Sequence, residues 1–546
     1  MTFTIVVLSG PVSSGKSTLA ERLADRYGGV HLRTRELMAA HAQASGDTLM
    51  MDRASLQRYG ERLDRQTNGR WVVDGLAPTI TRLRGSGLVI IDAVRIPAQL
   101  EALREAFGRD VLHVHLGAPR EVLDARYQDR RSTSPVTELR SYEEVASDPT
   151  EANIGVLEAE ADQVINTQRS TADDVEVRCA ASLGLLPRLG ERLVDVIIGG
   201  GYGSEGKGNV AFYLAPEYDV LVRVGGPNAG HIVPLDPPYT HRLLPSGTQA
   251  NERAQLVIGP GAVINVEQLL SEIADSQVEV DRLSIDPQAM VIEEEDRIAE
   301  RKLREDIGST GQGVGYATAR RIIGRGRLPD GFAEVRLAGT IPSLAPYTRR
   351  RTVDVLSDAF AQGKRVLLEG TQGTALSLYH GTYPWVTSRD TTVAGCLAEA
   401  GIAPRRVRQV IMVVRTYPIR VGGDSGPMSQ ELDWEHVADR SGLDLGAILE
   451  TEKGSVSRNQ RRVAEFDWTQ LRQAAEINGA TDIALTFADY LDAENDKARR
   501  FDQLTEETIR SIEEIERVSG TPVTLISTRF HERSIIDRRS WRRSRR

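Results

Sequence analysis

At 546 residues the chain exceeds what one ordinary hydrophobic core supports, so two or more domains are expected. Hydrophobic residues make up 40% and charged residues 27%, as in a globular protein, and the formal charge of −9 excludes a general nucleic-acid surface, which needs a basic field. Two cysteines, Cys179 and Cys396, exclude a disulfide framework and suit a reducing compartment; there is no apolar run of roughly eighteen residues and no basic leader with a cleavage site, so a cytoplasmic location is expected.

Residues 3–8 read as a short buried parallel strand and 17–27 as an amphipathic helix. Apolar runs at 87–91, 111–116 and 161–166 continue the pattern, and this βαβ rhythm predicts a parallel sheet with helices on both faces. Between the first strand and helix, Gly10-Pro11-Val12-Ser13-Ser14-Gly15-Lys16-Ser17 fits the G-x-x-x-x-G-K-[ST] loop. Its glycines let the backbone curl around phosphate oxygens, the helix start presents free N–H groups, Lys16 neutralises charge and Ser17 can ligate Mg²⁺. The ATP-binding set is therefore Gly10, Ser13, Ser14, Gly15, Lys16, Ser17 and Thr18.

The rest of this segment resembles small P-loop nucleotide and nucleoside monophosphate kinases. The resemblance makes Asp92 a carboxylate that holds Mg²⁺ through water, with Arg95 just after it. It places Arg33 and Arg35 at the start of the acceptor region, and Arg120, Arg126, Arg130 and Arg131 in a lid over the transferring phosphoryl group. The acceptor is not readable from these residues. A kinase-like domain is expected over 1–170, a linker over 171–190 with room for a helix up to about Arg188 because 177–186 is fairly apolar, a second domain over 191–536 and a basic tail over 537–546.

The second domain opens with another strand, 194–198, followed at once by glycines. Strand-like runs at 220–224, 365–368, 410–414, 483–486 and 523–526 alternate with helical ones, among them a charged amphipathic helix at 506–518. The fold class is thus α/β: two tandem P-loop-type domains with mostly parallel sheets and flanking helices.

Gly199-Gly200-Gly201-Tyr202-Gly203-Ser204-Glu205-Gly206-Lys207-Gly208 is not a Walker loop; it resembles the G-D-E-G-K-G signature of adenylosuccinate synthetases. Further motifs follow in that family's order. They are 223–231 with Gly225-Gly226-Pro227-Asn228-Ala229-Gly230-His231, then 308–315, 369–373, 380–388, Thr391-Thr392, Arg420-Val421-Gly422 and Arg461-Arg462. That family replaces a purine 6-oxo group by phosphorylating O6 with an NTP and letting the aspartate amine displace phosphate. The chemistry needs a phosphate cradle with Mg²⁺, a base at N1 and an acid at the transferring phosphoryl group.

The resemblance implies that Gly203, Glu205, Gly206, Lys207 and Gly208 cradle the NTP, with Asp489 and Arg461 also contacting it. Ser204 and the Gly230 carbonyl lie near the metal. His231 is the general acid, joined by Ser204, Lys207 and Gln372 in the catalytic set. Asn228, Thr310, Gln372, Thr392 and Arg325 hold the acceptor nucleotide, and Ser455, Val456, Ser457 and Arg461 meet aspartate. Family members are homodimers with an arginine crossing between subunits, for which Arg321 and Arg325 both qualify. The expected partners are small molecules: a purine nucleoside monophosphate, L-aspartate and NTP, with no membrane and no specific nucleic acid.

Position 204 departs from the family, whose aspartate here removes the N1 proton. A serine hydroxyl does not do so at neutral pH without another base. It does leave room for a 2-amino group beside N1 and can accept its hydrogen bond. Ser204, the short 225–228 loop and Ser455-Val456-Ser457-Arg458 resemble the phage-type branch, the 2-amino-deoxyadenylosuccinate synthetases. GMP or dGMP is therefore the favoured acceptor, with an IMP- and GTP-using enzyme of AMP biosynthesis as the alternative and a non-catalytic purine nucleotide sensor as a third. The donor stays open between ATP and GTP. Asp489 is kept, but Phe487 stands where the guanine-selecting segment has lysine, and Arg529 where its turn has glycine.

Overall fold

The computed structural model describes residues 3–83, 87–131, 141–147, 154–186, 190–326, 334–454 and 459–539. The chain divides into two compact units, Met1–Leu186 and Pro187–Arg546.

The first unit carries a five-stranded sheet of β1 (Phe3–Ser9), β2 (Val30–Arg33), β3 (Gly87–Asp92), β4 (Val111–Gly117) and β5 (Gln163–Asn166), in the order β2-β3-β1-β4-β5. All four pairings are parallel. Both faces are covered, because alternate residues of β1 enter different cores. Ile5 and Val7 join Trp71, Leu76 and Leu100 on one side, while Val6 and Leu8 join Leu19, Leu23 and Cys179 on the other. Asp92 and the loop after Ser9 thus emerge together at the carboxyl ends of adjacent strands, where open α/β sheets bind ligands.

Within the linker expected over 171–190 the helix that its apolar run allowed is present. Residues Ala172–Ser182 form a helix with a Thr171–Asp174 capping box, and Val175, Cys179 and Ala180 bury their apolar face in the first unit's core. Arg22 and Arg26, on the helix after the P-loop, both pair with the buried Glu176. An amphipathic stripe with its own ion pairs makes this segment part of the domain it follows.

The second unit is built on nine strands: β6 (Val194–Gly199), β7 (Val220–Arg223), β8 (Gln255–Ile258), β9 (Leu283–Ile285), β10 (Val366–Glu369), β11 (Val407–Arg415), β12 (Asp482–Thr486), β13 (Val523–Ser527) and β14 (Ile535–Asp537). Their order is β9-β8-β7-β10-β6-β11-β12-β13-β14. All run parallel except β14, which is antiparallel to β13. Val194, Val196 and Ile198 of β6 face one core and Ile197 the other, so this sheet too is buried on both sides. The basic tail expected from 537 is corrected at its start: Asp537 closes β14 and Arg539 pairs with Glu217 and Asp537. Residues 540–546 lie outside the described residues. No helix among the described residues is long and apolar enough to cross a membrane.

Candidate active sites

In the first unit the chain leaves β1 through Gly10, whose φ is +135° and whose Cβ, if present, would lie 2.1 Å from the Leu116 carbonyl oxygen. Only glycine fits there, and the loop folds tightly over the sheet edge. Lys16 Nζ turns back to donate to the carbonyls of Gly10 and Pro11 at 2.7 and 2.6 Å, and Ser17 Oγ donates to Asp92 Oδ2 at 2.7 Å. Burial works to raise the Asp92 pKa, but hydrogen bonds from His31 and Ser17 and the charge of Lys16 hold it below the ordinary carboxylate value. A cavity of about 710 Å³ opens here, lined by Lys16, Ser17, Arg33, Asp92, Arg95 and Arg126 among others, and Ser13, Ser14, Gly15 and Thr18 also face it. Arg33 pairs with Glu21 and Glu36, and Arg126 donates to Thr167 Oγ and O, both at 2.9 Å. The side chain of Arg130 lies outside the described residues.

In the second unit the loop after β6 folds onto its own acid. The N–H groups of Gly201 and Gly203 donate to Glu205 Oε1 at 3.0 and 2.6 Å, and Lys207 Nζ donates to Glu205 Oε2 at 2.7 Å and to the Gly203 carbonyl at 3.0 Å. A carboxylate thus fills a nest of backbone N–H groups beside a lysine, the arrangement that suits a phosphate oxygen. The helix Lys207–Leu214 then passes close to the hairpin strand His231–Val233. A Cβ on Gly208 would stand 2.6 Å from the Ile232 carbonyl oxygen and 3.0 Å from His231 Cβ.

His231 is buried, and its Nδ1 hydrogen-bonds Glu369 at the end of β10. Glu369 also accepts from Arg223 Nη1 at 2.9 Å, from the Ser246 N–H at 2.7 Å and from Ser246 Oγ. Arg223 in turn donates to the carbonyls of Ala229 and Arg242, fixing the turn through Gly230. Burial and the neighbouring Arg223 push the His231 pKa down to about 4. Burial opposes ionisation of Glu369, but Arg223 and His231 overcome it and bring that pKa down to about 2. An ionised Glu369 therefore holds the proton of a neutral imidazole on Nδ1. Nε2 is left buried with no hydrogen-bond partner. Such an atom is poised to exchange a proton with a bound group, and a polyanion beside it would raise its proton affinity.

Gln372 sits against this loop. A Cβ on Gly203 would be 3.1 Å from Gln372 Cα. Its backbone is left-handed (φ +57°), Oε1 accepts from Thr371 Oγ at 2.8 Å, and Nε2 is buried without a partner. Asn228 Nδ2 lies 3.4 Å from Thr387 Oγ, with its Oδ1 also unpartnered. On the other side of the loop Phe487 approaches Gly206, and two residues on, Asp489 has a buried unpartnered Oδ1. Burial drives the Asp489 pKa up to about 7. Arg461 reaches the same region through Glu452: Arg461 Nη1 donates to Glu452 Oε2 at 3.2 Å, Arg415 pairs with Glu452 Oε1, and Arg415 Nη1 lies 3.4 Å from the Ser204 carbonyl.

Residues 203–208, His231, Gln372, Asp489 and Arg461 are thus joined by short chains of contact. Others have local roles. Thr392 is the N-cap of the helix Val393–Ala400 and donates to Asp390 Oδ2 at 2.8 Å. Thr310 lies half-buried in the loop before the helix Val314–Ile323, its carbonyl 3.5 Å from Gln312 Nε2. Arg325 is exposed, and its Nε donates to the Ile322 carbonyl. Ser455, Val456 and Ser457 lie outside the described residues.

Glu369, Arg223 and Ser246 form the histidine's support, yet nothing in their spacing marks them as its partners. Glu369 lies 138 residues beyond His231. The available signal was an acid ending a strand directly before a glycine-containing loop. Arg415 was hidden in the same way: it stacks on Phe487, 3.7 Å from the ring centre, and pairs with a glutamate 37 residues away.

A family model described as adenylosuccinate synthetase matches residues 196–330 and 335–496, and one described as an AAA domain matches residues 5–156. The adenylosuccinate synthetase of Methanocaldococcus jannaschii is 39% identical over 355 residues, 63% of this chain and 96% of that protein. The solved cyanophage S-2L succinoaminodeoxyadenylate synthetase (PurZ), bound to dGMP and to dATP as an energy donor, is 29% identical with a TM-score of 0.51, covering 64% of this chain and 95% of that one. The fully ligated adenylosuccinate synthetase of Plasmodium falciparum superposes with a TM-score of 0.54 over 63% of this chain and 99% of that one; at 23% identity it speaks for the fold alone. With the ordered motifs, the buried histidine and these matches together, the chain belongs to the adenylosuccinate synthetase family, carrying the family's carbon–nitrogen ligase unit behind a P-loop kinase-like unit.

Proposed function

We propose that the second unit joins L-aspartate to C6 of GMP or dGMP, and that the first unit is an ATP-dependent nucleotide kinase. The observation that carries the acceptor is Ser204, where the family signature has an acid. A serine leaves space beside N1 and accepts a hydrogen bond from a 2-amino group, which hypoxanthine lacks. The likeness to the cyanophage synthetase bound to dGMP supports this reading.

On this reading the NTP phosphates displace the Glu205 carboxylate from the Gly201 and Gly203 amides and take over Lys207, while Gly206 and Gly208 keep the backbone close. His231 Nε2 carries the proton delivered to the transferring phosphoryl group, with Glu369 holding the ring from Nδ1. Gln372 Nε2 donates to the purine, and Asn228, Thr310 and Thr392 bind the acceptor phosphate, with Arg325 supplied across a homodimer. Ser455, Val456, Ser457 and Arg461 receive aspartate. The Mg²⁺ donor set here is a serine hydroxyl and the Gly230 carbonyl, both neutral oxygens, which fits an ion that enters with the NTP and takes its anionic ligands from the phosphates. When bound, Mg²⁺ offsets charge on the transferring phosphoryl group. In the first unit Ser17 has the same place near a metal, and Arg33, Asp92, Arg95, Arg126 and Arg130 serve lid and acceptor.

A second reading, IMP as acceptor with GTP as donor, is favoured by the higher identity to the archaeal adenylosuccinate synthetases. The two are separated by incubating the protein with aspartate, Mg²⁺, ATP or GTP and either IMP, GMP or dGMP, and reading succinylated nucleotide by mass spectrometry. Product from GMP or dGMP is expected. Product from IMP alone refutes the guanine reading, and no product from any acceptor refutes ligation.

A further inference from the structure

The cavity of the first unit extends well beyond the P-loop. One wall is the helix Arg53–Thr67, which turns a face inward through Arg53, Gln57, Gly60 and Asp64. Asp64 is set with care. Its Oδ1 accepts from Trp71 Nε1 at 2.7 Å and from Gln99 Nε2 at 2.9 Å, and Gln99 is anchored by accepting the Arg95 N–H at 2.8 Å on its own Oε1. Gln99 is 3% exposed and Trp71 5%, so this support is rigid. No described residue donates to Asp64 Oδ2, and no cation pairs with the carboxylate. Burial, with Glu61 nearby, accordingly holds its pKa above the ordinary value, although the bonds from Trp71 and Gln99 oppose this.

A half-satisfied, uncompensated carboxylate inside a ligand cavity wants a neutral donor edge. Two neighbouring N–H groups on one heterocycle supply it, and guanine offers N1–H beside its 2-amino group. Adenine and cytosine set a ring acceptor next to their amine. Uracil and thymine set carbonyls on both sides of their N–H, and hypoxanthine has N1–H without the amine. The same cavity also presents cations. Arg35 lines it without a partner among the described residues. It starts the helix Thr34–Ser45, whose Thr34 Oγ lies 3.3 Å from the Ala93 carbonyl, next to Asp92. Arg95 lines the same space. A carboxylate with an open oxygen and two guanidinium groups lining one cavity match the base edge and the phosphate of a mononucleotide.

We infer that this cavity is the acceptor site for a guanine nucleoside 5′-monophosphate, with Asp64 reading the N1–H and 2-amino edge and Arg35 and Arg95 receiving the 5′-phosphate. The inference rests on the reading of this unit as a phosphotransferase. The step balances simply: an oxygen of the acceptor phosphate forms a bond to the γ-phosphorus of ATP, the bond from that phosphorus to the β,γ-bridging oxygen breaks, and ADP leaves. The attacking oxygen is already deprotonated at neutral pH, so no base is needed, and Asp64 serves specificity.

The test uses the full-length protein with Mg²⁺ and ATP, aspartate being omitted to keep ligation silent. GMP, dGMP, IMP, AMP and CMP are offered in turn, and nucleoside diphosphates are read by anion-exchange chromatography. GMP or dGMP is expected to exceed IMP by about tenfold or more in kcat/KM, the scale of a hydrogen bond to a charged group. Asp64→Asn should cut that preference mainly through KM, whereas Arg35→Gln should raise KM for GMP and IMP alike and leave their ratio unchanged. Equal use of GMP and IMP, preference for AMP or CMP, or a ratio untouched by Asp64→Asn overturns the assignment and leaves the kinase reading standing. No transfer to any acceptor, with ADP formation indifferent to Lys16→Ala, overturns both.

Discussion

Replacing Glu369 by Gln tests the histidine support most directly. The carboxylate is 3% exposed on its side chain and receives Arg223, His231 Nδ1 and both donors of Ser246. Arg223, 2% exposed, would lose this anionic partner and keep only neutral ones, the Ala229 and Arg242 carbonyls, the Ser246 hydroxyl and the imidazole, for a buried charge. Breaking a buried pair from one side costs about 3–5 kcal/mol. The new amide must set its NH₂ either against the Ser246 N–H, donor to donor, or against Nδ1, where it no longer accepts the imidazole proton and the fixed tautomer is lost. Turnover should fall by about 10²–10⁴-fold, the range that positioned acid–base groups contribute. Urea unfolding followed by tryptophan fluorescence reads the second unit through Trp385, Trp434 and Trp468, and mass spectrometry of the succinylated nucleotide reads turnover. Because two units do not unfold as one two-state system, a purine nucleotide is added to identify the transition it shifts. Glu369→Asp, which keeps the charge with a shorter reach, should recover part of the stability. A Glu369→Gln protein within about 1 kcal/mol of the parent and within about threefold in kcat would refute the role given to this carboxylate.

Ser204→Asp should move acceptor preference from GMP toward IMP in the same assay; an unchanged preference counts against the steric account of position 204. Acid should weaken the second unit between about pH 6.5 and about pH 4, because the unfolded chain binds a proton at His231 that the native state refuses until its pKa of about 4. That loss should shrink in His231→Gln, measured as unfolding midpoint against pH. Asp489 titrates near 7, and only its ionised form pairs with the N–H edge of guanine. KM for GTP should therefore drop as pH rises through 7 while KM for ATP does not, and parallel profiles would remove Asp489 from donor recognition. Lys207→Ala should abolish ligation and leave phosphoryl transfer by the first unit intact, with Lys16→Ala doing the reverse.

Much of this was legible because it is local. A phosphate loop needs its glycines, lysine and hydroxyl within one turn, and a strand buried on both faces is a continuous apolar run. The glycine loops at 10–17 and 199–208 and most strands of both sheets could therefore be read directly, the strand ends within one to three residues. A helix near Ala172–Ser182 was legible from its apolar run, but its membership of the first unit was not, because that stripe gains meaning only against the helix of the P-loop. The same limit governs the sites. Ser204 could be weighed from sequence because the neighbouring motif supplies its frame. The Glu369 clasp on His231 joins a strand end to a hairpin and the Asp64–Gln99 pair joins two helices, so both depend on packing that brings distant segments together. Sequence by itself determined two α/β units, the glycine loop after the first strand of each, and the ligase family of the second. Only the tertiary structure decided which carboxylates are desolvated, which are paired and which face a cavity with an open oxygen, since proton affinity is set by surroundings that the chain order does not record.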